Sequence, residues 1–346
     1  MTKLSRRIVL LASAALFSAL LLSPAAAQNN RRRLAYTDPK NADAGFAYQG
    51  EYLGAFVEDD EGRQVGLQVV AQGDGQFKAV EYAGGLPGTR WNRRDRYKMK
   101  GTVRDGIVEL KSSKHLFRVV PEGADVHSAD GKYLGTLFKV ARVSATFGKR
   151  PPKGAVVLFD GRDTRHFVRA KMTSDGLLQV GTQTVKSFKD FQLHIEFKLP
   201  YMPHARGQRR ANSGVYLQSR YEVQMLDSFG LDGVKNECGA MYRQRKPDLN
   251  MCLPPLQWQT YDITFRSPRF DADGKKSANA RITVRHNGVL VHDDVELTNK
   301  TGAGRKEGPA PLPTKLQNHG NPVRFQNIWI VEHKTKQIRK LTSNRR

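Results

Sequence analysis

From Phe191 to Leu199 the chain alternates without a break. Phe191, Leu193, Ile195, Phe197 and Leu199 are apolar, and Gln192, His194, Glu196 and Lys198 between them are polar. Only a strand sends successive side chains to opposite faces, so this segment predicts a β-strand with one face on a core. The pattern recurs. Tyr261, Ile263 and Phe265 alternate with Asp262, Thr264 and Arg266, and Ile282 and Val284 alternate with Arg281, Thr283 and Arg285. Asn287-Gly288 then leads into Val289–His292, the dipeptide best suited to the positive φ angles of a two-residue hairpin. No amphipathic helix of convincing length competes. Many antiparallel strands, each with one polar face, require two stacked sheets. The expected fold class is all-β, with a jelly-roll sandwich in the second half.

The 346 residues suggest two domains. Residues 28–45 are polar and basic and are expected to be a flexible leader. Over 46–145 short strands alternate with glycine turns. Gln64–Ala71 and Gln76–Tyr82 flank Gly73-Asp74-Gly75, and Tyr97–Val103 and Ile107–Leu110 flank Arg104-Asp105-Gly106. These are hairpin signals of a small β-rich accessory domain. Trp91, beside Gly84–Gly88, is a core indole by default and a sugar-stacking platform by exception. Thr146–Lys153 is a basic, proline-containing linker. The sandwich is expected over 154–334, with a basic tail at 335–346.

At the start, Lys3, Arg6 and Arg7 precede the apolar run Ile8–Leu22, and Ala25-Ala26-Ala27 precedes Gln28. The run is shorter than the roughly 20 residues of a bilayer span. It reads as a signal peptide, residues 1–27, for an exported protein, periplasmic or secreted. Ser5-Arg6-Arg7 is a partial twin-arginine signal. The formal charge of +24 is dispersed over separate basic clusters and carries no nucleic-acid fingerprint. Each cluster alone reads as a solubilising surface; together they are expected to attract acidic envelope polymers rather than nucleic acid. Cys238 and Cys252 are the two cysteines. Under oxidising conditions a disulfide between them is expected, contributing roughly 3 kcal/mol. No second Cys/His pair has zinc-ligand spacing.

Candidate chemistry concentrates in Asn212–Ser228 and Leu316–Pro322. If Val223 and Met225 face the core, Glu222 and Gln224 share the opposite face, and Asp227 has the other parity. By pattern alone Glu222 also reads as a solvated strand carboxylate. His319 lies between amides and before Gly320, and reads either as a proton shuttle or as a loop imidazole bonded to backbone.

The stretches GAVVLFDGRD (154–163), DFQLHIEFKLP (190–200), NSGVYLQSRYEVQMLDS (212–228), CGAMY (238–242), PPLQWQTYDITFRSPRFDADGK (254–275), ARITVRHNGVLVHDDVEL (280–297) and LQNHGNPVRFQNIWI (316–330) run in order. Together they resemble the 3-keto-disaccharide hydrolase domain family, whose fold is a concanavalin-like sandwich. The resemblance implies a glycoside or oligosaccharide substrate first oxidised at its 3-hydroxyl by a partner sugar oxidoreductase. A base then removes the C2 proton, the C1 oxygen leaves, and water adds back. By motif position Glu222 is the base or acid and His319 its complement. Asp227 orients a partner or joins the acid–base set. Glu196, Asn212, Gln218 and Gln224 hold the sugar, and Trp258 stacks on it or packs in the core.

The sequence requires no cofactor. A divalent cation on Glu222, Asp227 and His319 would suit an enediolate. Asp271-Ala272-Asp273-Gly274 begins like a calcium loop but has Ile282 where the twelfth-position acid belongs. Asn318 and Gln326 depart from the family's Asp and Arg, which bears on turnover and substrate choice. Two other functions compete. An ordinary glycoside hydrolase of the E-x-D-x-x-E type would use Glu222 and Asp227, with Gln224 in the middle. A lectin-like binder would draw on the positive charge and the extra domain.

Overall fold

The structure, a computed structural model, describes residues 30–57 and 62–333. The signal peptide and the basic tail lie outside the described residues. Helical structure is confined to single turns.

The first half closes into a barrel. Its strands are β1 (Gly50–Ala55), β2 (Gln64–Ala71), β3 (Gln76–Ala83), β4 (Arg96–Arg104), β5 (Ile107–Lys111), β6 (His115–Val119), β7 (Gly123–Ser128) and β8 (Tyr133–Val140). Each pairs antiparallel with the next, and β8 pairs back to β1. Closure removes the sheet edges that a small open domain would expose. The β4–β5 turn holds Asp105 at φ 47° and Gly106 at φ 76°, the backbone that the Asp-Gly pair favours. Tyr52, Leu67, Phe77, Met99, Phe117 and Val126 fill the interior.

The second half has strands β9 (Val156–Phe159), β10 (Leu178–Gln179), β11 (Thr182–Ser187), β12 (Phe191–Lys198), β13 (Ser213–Leu217), β14 (Tyr221–Met225), β15 (Trp258–Arg266), β16 (Arg269–Phe270), β17 (Lys276–Ala278), β18 (Ala280–His286), β19 (Val289–Leu297), β20 (Pro313–Leu316) and β21 (Arg324–Glu332). One sheet runs β10-β21-β12-β15-β18-β19, with β9 also on the outer edge of β21. The other runs β11-β20-β13-β14. Their inner faces share one core. Phe191, Leu193, Ile195 and Phe197 meet Val215, Leu217, Val223 and Met225, and the Tyr221 and Phe265 rings lie 5.4 Å apart between the sheets. The all-β sandwich preceded by a β-rich domain is therefore observed. Asp271 accepts from the backbone of Asp273 and Lys275, so the calcium-like segment is a hairpin turn between β16 and β17.

Two expectations are corrected. Within the stretch assigned to a flexible leader, the described residues from Tyr36 to Asp43 are held: Tyr36 and Tyr201 exchange backbone hydrogen bonds of 2.9 Å, and Tyr201 donates to Asp43 at 2.8 Å. Its aromatic residues supply the apolar contact that composition alone obscures. The expected Cys238–Cys252 disulfide is absent, and both are free, buried thiols. Cys238 Sγ sits 3.2 Å from the Tyr261 hydroxyl, and Cys252 Sγ lies 3.5 Å from Leu226 O. Enclosure in the core makes them act as small apolar side chains, and burial pushes the Cys252 thiol up and keeps it protonated.

The barrel is joined to the sandwich by polar and apolar contacts. Lys98 of β4 pairs with Asp232 at 2.8 Å, Ser144 and Thr260 hydroxyls meet at 2.6 Å, and Val70 of the barrel enters the sandwich core.

Candidate active site

The four-stranded sheet presents its outer face as rows. In the β13–β14 hairpin Gly214 pairs with Gln224 and Tyr216 with Glu222. On the other side of β13, Tyr216 pairs with Lys315 of β20. Lys315, Tyr216 and Glu222 therefore form one row across three strands, because odd residues of the hairpin fill the core and even ones face outward. The hairpin turn lacks glycine. Gln218 and Ser219 take φ of 50° and 52°, held by bonds from Gln218 to Phe188 O and Ser267 and from Ser219 to Pro313 O.

Glu222 is 2% exposed. Its Oε2 accepts a 2.7 Å hydrogen bond from the Tyr216 hydroxyl. Its Oε1 accepts none from the described residues and lies over Gly214, where an added Cβ would come within 2.5 Å of it. Burial raises the carboxyl pKa to about 7, against the opposing pull of the Tyr216 hydrogen bond and the Lys315 charge. Burial also pushes the Tyr216 phenol up, so it stays a donor. Thr301 Oγ1 accepts from the Glu222 backbone at 2.6 Å, and Tyr242 donates its backbone N–H to Glu222 O.

Beside this row lies an amide cluster. Gln224 Nε2 donates to Gln208 Oε1 at 3.0 Å, as does Asn212 Nδ2 at 3.3 Å. Gln317, opposite Gly214, reaches the Tyr216 hydroxyl at 3.4 Å. Asn212 Oδ1 and Gln317 Oε1 are buried acceptors with no partner among the described residues. Orphaned buried acceptors are rare and mark places where another group completes the bonding. A cleft of about 290 Å³, bordered by Arg169, Gln183, Lys315 and Asn318, opens alongside.

The structure gathers Glu222, Gln224 and Asn212 and leaves the other candidates apart. His319 is exposed on the loop between β20 and β21 and makes no hydrogen bond to Glu222. Asn318 does not orient it, since Asn318 Oδ1 accepts from Gly320 N at 2.9 Å. The loop is nevertheless fixed to the site, because Asn321 Oδ1 accepts from Asn212 N at 2.7 Å. Asp227 is not in the site. It is buried in an ion pair with Arg210 at 2.6 Å, where the chain turns off β14 toward the barrel. Gln218 holds the hairpin turn as described. Glu196 lies on the opposite outer face of the sandwich, on β12. It accepts from Gly148 N at 2.6 Å, Gln326 at 2.8 Å and Asn327 at 2.7 Å, and so fastens the linker. Trp258 is on that same face, stacked on Phe147 at 6.4 Å. Glu222, Asp227 and His319 do not converge as a cation site, and no group of three ligating side chains occurs among the described residues.

Residues 154–331 match the family of 3-keto-alpha-glucoside-1,2-lyase-like domains. The chain belongs to that family. The lyase-like domain is thus the sandwich, and the barrel precedes the matched segment. No curated protein sequence matches the chain. Among solved structures, a provisionally named glycosyl hydrolase of Parabacteroides distasonis is 31% identical over 53% of this chain and 85% of its own, with a TM-score of 0.47. Another from the same organism, provisionally named likewise, is 19% identical over 52% and 94%, with a TM-score of 0.39.

In the lyase-like domain the residues that motif position alone did not single out are Tyr216, Lys315, Gln317 and Gln208. Tyr216 was within reach, because it shares Gly214's parity in the motif Asn212-Ser213-Gly214 onward. Lys315 and Gln208 join the site through strand pairing and a distant turn, which leave no local pattern.

Proposed function

We propose that this carbohydrate-active domain cleaves 3-keto-glycosides by elimination and hydration. Glu222 takes the C2 proton, and the C2–H electron pair becomes the C2=C3 bond of an enediolate as the ketone oxygen gains charge. The enediolate then collapses, forming C1=C2 and breaking the bond from C1 to the leaving oxygen, which takes up a proton. Water adds across C1=C2, hydroxyl to C1 and hydrogen to C2, and yields the free 3-keto sugar.

The observation that carries this reading is the state of Glu222: one oxygen held by Tyr216, the other unbonded, and a pKa of about 7. A carboxyl poised near neutrality serves as both acceptor and donor of a proton. Lys315 supplies positive charge beside the enediolate oxygen, while the Tyr216 hydroxyl, whose one proton goes to Glu222 Oε2, holds the base in place. Asn212 Oδ1 and Gln317 Oε1 accept from sugar hydroxyls. His319, on the rim, is the donor to the departing oxygen. Because Glu222 is almost fully covered, turnover in this proposal includes movement of the neighbouring Thr301–Gly302 segment, which bonds the Glu222 backbone and borders its Oε2. Direct glycoside hydrolysis needs a second carboxylate facing the first, and Asp227 is committed to Arg210.

The substrate's ketone must come from an oxidoreductase acting on sugar 3-hydroxyls. The signal-peptide pattern of residues 1–27 supports export, and in this proposal the reaction runs outside the cytoplasm.

The test is to incubate the purified protein with a 3-keto-glucoside carrying a chromogenic aglycone, and with its unoxidised parent. Aglycone release from the keto form alone is expected. Equal release from the parent would contradict the reading, and release from neither would favour a sugar-binding protein.

A further inference from the structure

A second cleft lies where the barrel meets the sandwich, away from the row of Lys315, Tyr216 and Glu222. Its volume is about 210 Å³, and Trp91, Arg93, Arg94, Arg96, Asp232 and Lys246 are among its walls. That is below the roughly 300–1,000 Å³ of drug-sized sites and suits one small ring rather than an extended chain.

Trp91 is fixed in place. Its ring packs edge-on to Tyr82 with centroids 5.0 Å apart, and its Nε1 donates to Asp95 O at 3.0 Å. With the indole N–H committed, what the ring offers the cleft is its apolar and π surface.

The charges are unequal. Asp232 is shared by Arg96 at 3.0 Å and Lys98 at 2.8 Å, and Asp248, also in the wall, is paired with Arg245 at 2.7 Å. Arg93, Arg94 and Lys246 have no carboxylate partner among the described residues. Asn250 has its amide nitrogen committed to Ser228 O and Leu231 O. The cleft therefore combines a rigid aromatic surface with three uncommitted cations contributed by both halves of the chain.

We propose that this cleft binds an anionic saccharide, a pyranose bearing a carboxylate. The C–H face of the sugar lies on Trp91, and its carboxylate sits among Arg93, Arg94 and Lys246. Neither element alone selects such a ligand. The aromatic face accepts any sugar, and the cations accept any anion. Fixed side by side, they recognise the two chemistries joined in one ring. The inference is independent of the reaction at Glu222, since none of these residues belongs to that site.

The experiment titrates the purified chain with a short oligogalacturonate, with a neutral oligosaccharide of equal length, with inorganic sulfate and with a short single-stranded DNA. Calorimetry and indole fluorescence are the readouts. Saturable binding of the oligogalacturonate is expected, weakening as salt rises from about 0.05 to 0.5 M. The neutral sugar and sulfate are expected to bind about tenfold more weakly or not at all. Trp91→Ala is expected to weaken binding about tenfold and abolish the fluorescence change. Lys246→Ala and Arg94→Ala, at exposed positions that leave the fold intact, are each expected to weaken it about threefold to tenfold. Lys111→Ala, on β5, is expected to leave it unchanged.

Three results would overturn the proposal. One is no binding of the oligogalacturonate, or binding no tighter than that of sulfate. Another is equal weakening by Lys111→Ala, which would indicate diffuse charge alone. The third is tighter binding of the DNA than of the oligogalacturonate.

Discussion

The Tyr216 hydroxyl donates to Glu222 Oε2 at 2.7 Å across directly paired positions of one hairpin. A buried carboxylate and a buried phenol thus share one hydrogen bond, and the phenol's own ionisation is suppressed. The bond favours the charged form of Glu222, while burial disfavours it more strongly. Removing the hydroxyl should leave burial opposed by the Lys315 charge alone. Tyr216→Phe is expected to move the ascending limb of the kcat/KM pH profile to higher pH and to lower activity at pH 7 by about tenfold. A limb that stays in place would show that Tyr216 does not tune Glu222.

The same raised pKa has a consequence for stability. Below pH 4.5 Glu222 is protonated in both folded and unfolded chains. As pH rises from 4.5 to about 7 the unfolded chain releases its proton first, so this residue's contribution to stability is lost over that window. Glu222→Gln removes the effect. Its stability relative to the native protein is expected to rise by roughly 3 kcal/mol between pH 4 and pH 8, measured by urea unfolding. Its turnover of a 3-keto-glycoside is expected to fall about a thousandfold. A stability difference that does not change with pH would contradict the perturbed pKa.

Gly214 leaves room for Glu222. A Cβ there would come within 2.5 Å of Oε1 and 3.0 Å of Cγ, which forces the carboxylate aside. Gly214→Ala is expected to cut kcat about a hundredfold through misplacement of the base, with about 1–3 kcal/mol lost by overpacking. Thermal unfolding and single-turnover rates separate the two effects. Unchanged kcat would mean that the position of Oε1 does not matter.

How much of this was legible before folding varies by residue. The alternation in Phe191–Leu199 became β12, and Asn287-Gly288 became the β18–β19 turn with φ of 52° and 83°, because both signals are local. The hairpin that makes the site was harder to see. Its turn residues, Gln218 and Ser219, hold positive φ through tertiary hydrogen bonds rather than through glycine. Glu196 shows the other limit. Alternation puts it on a polar face, but a sandwich has two outer faces, and only the strand order tells that Glu196 and Glu222 lie on opposite ones. The parity of Asp227 already separates it from Glu222, while its partner Arg210 lies across a gap in sequence that no pattern bridges.

Asp227 and Arg210 form a buried pair with side-chain exposures of 0% and 6%. Breaking such a pair strands a charge. Asp227→Asn is expected to cost about 3–5 kcal/mol of stability while kcat per folded molecule stays within about twofold. A collapse of kcat at full stability would restore Asp227 to the acid–base set.

The central claim is that cleavage proceeds through loss and return of the C2 hydrogen. The most direct test runs the reaction on a 3-keto-glucoside in deuterium oxide and examines the freed keto sugar at early times by mass spectrometry and NMR. A parallel sample of that sugar without enzyme measures background exchange. Elimination and hydration predict one solvent deuterium at C2, acquired at the rate of aglycone release and lost with Glu222→Gln. Product that retains its original C2 hydrogen would contradict the account.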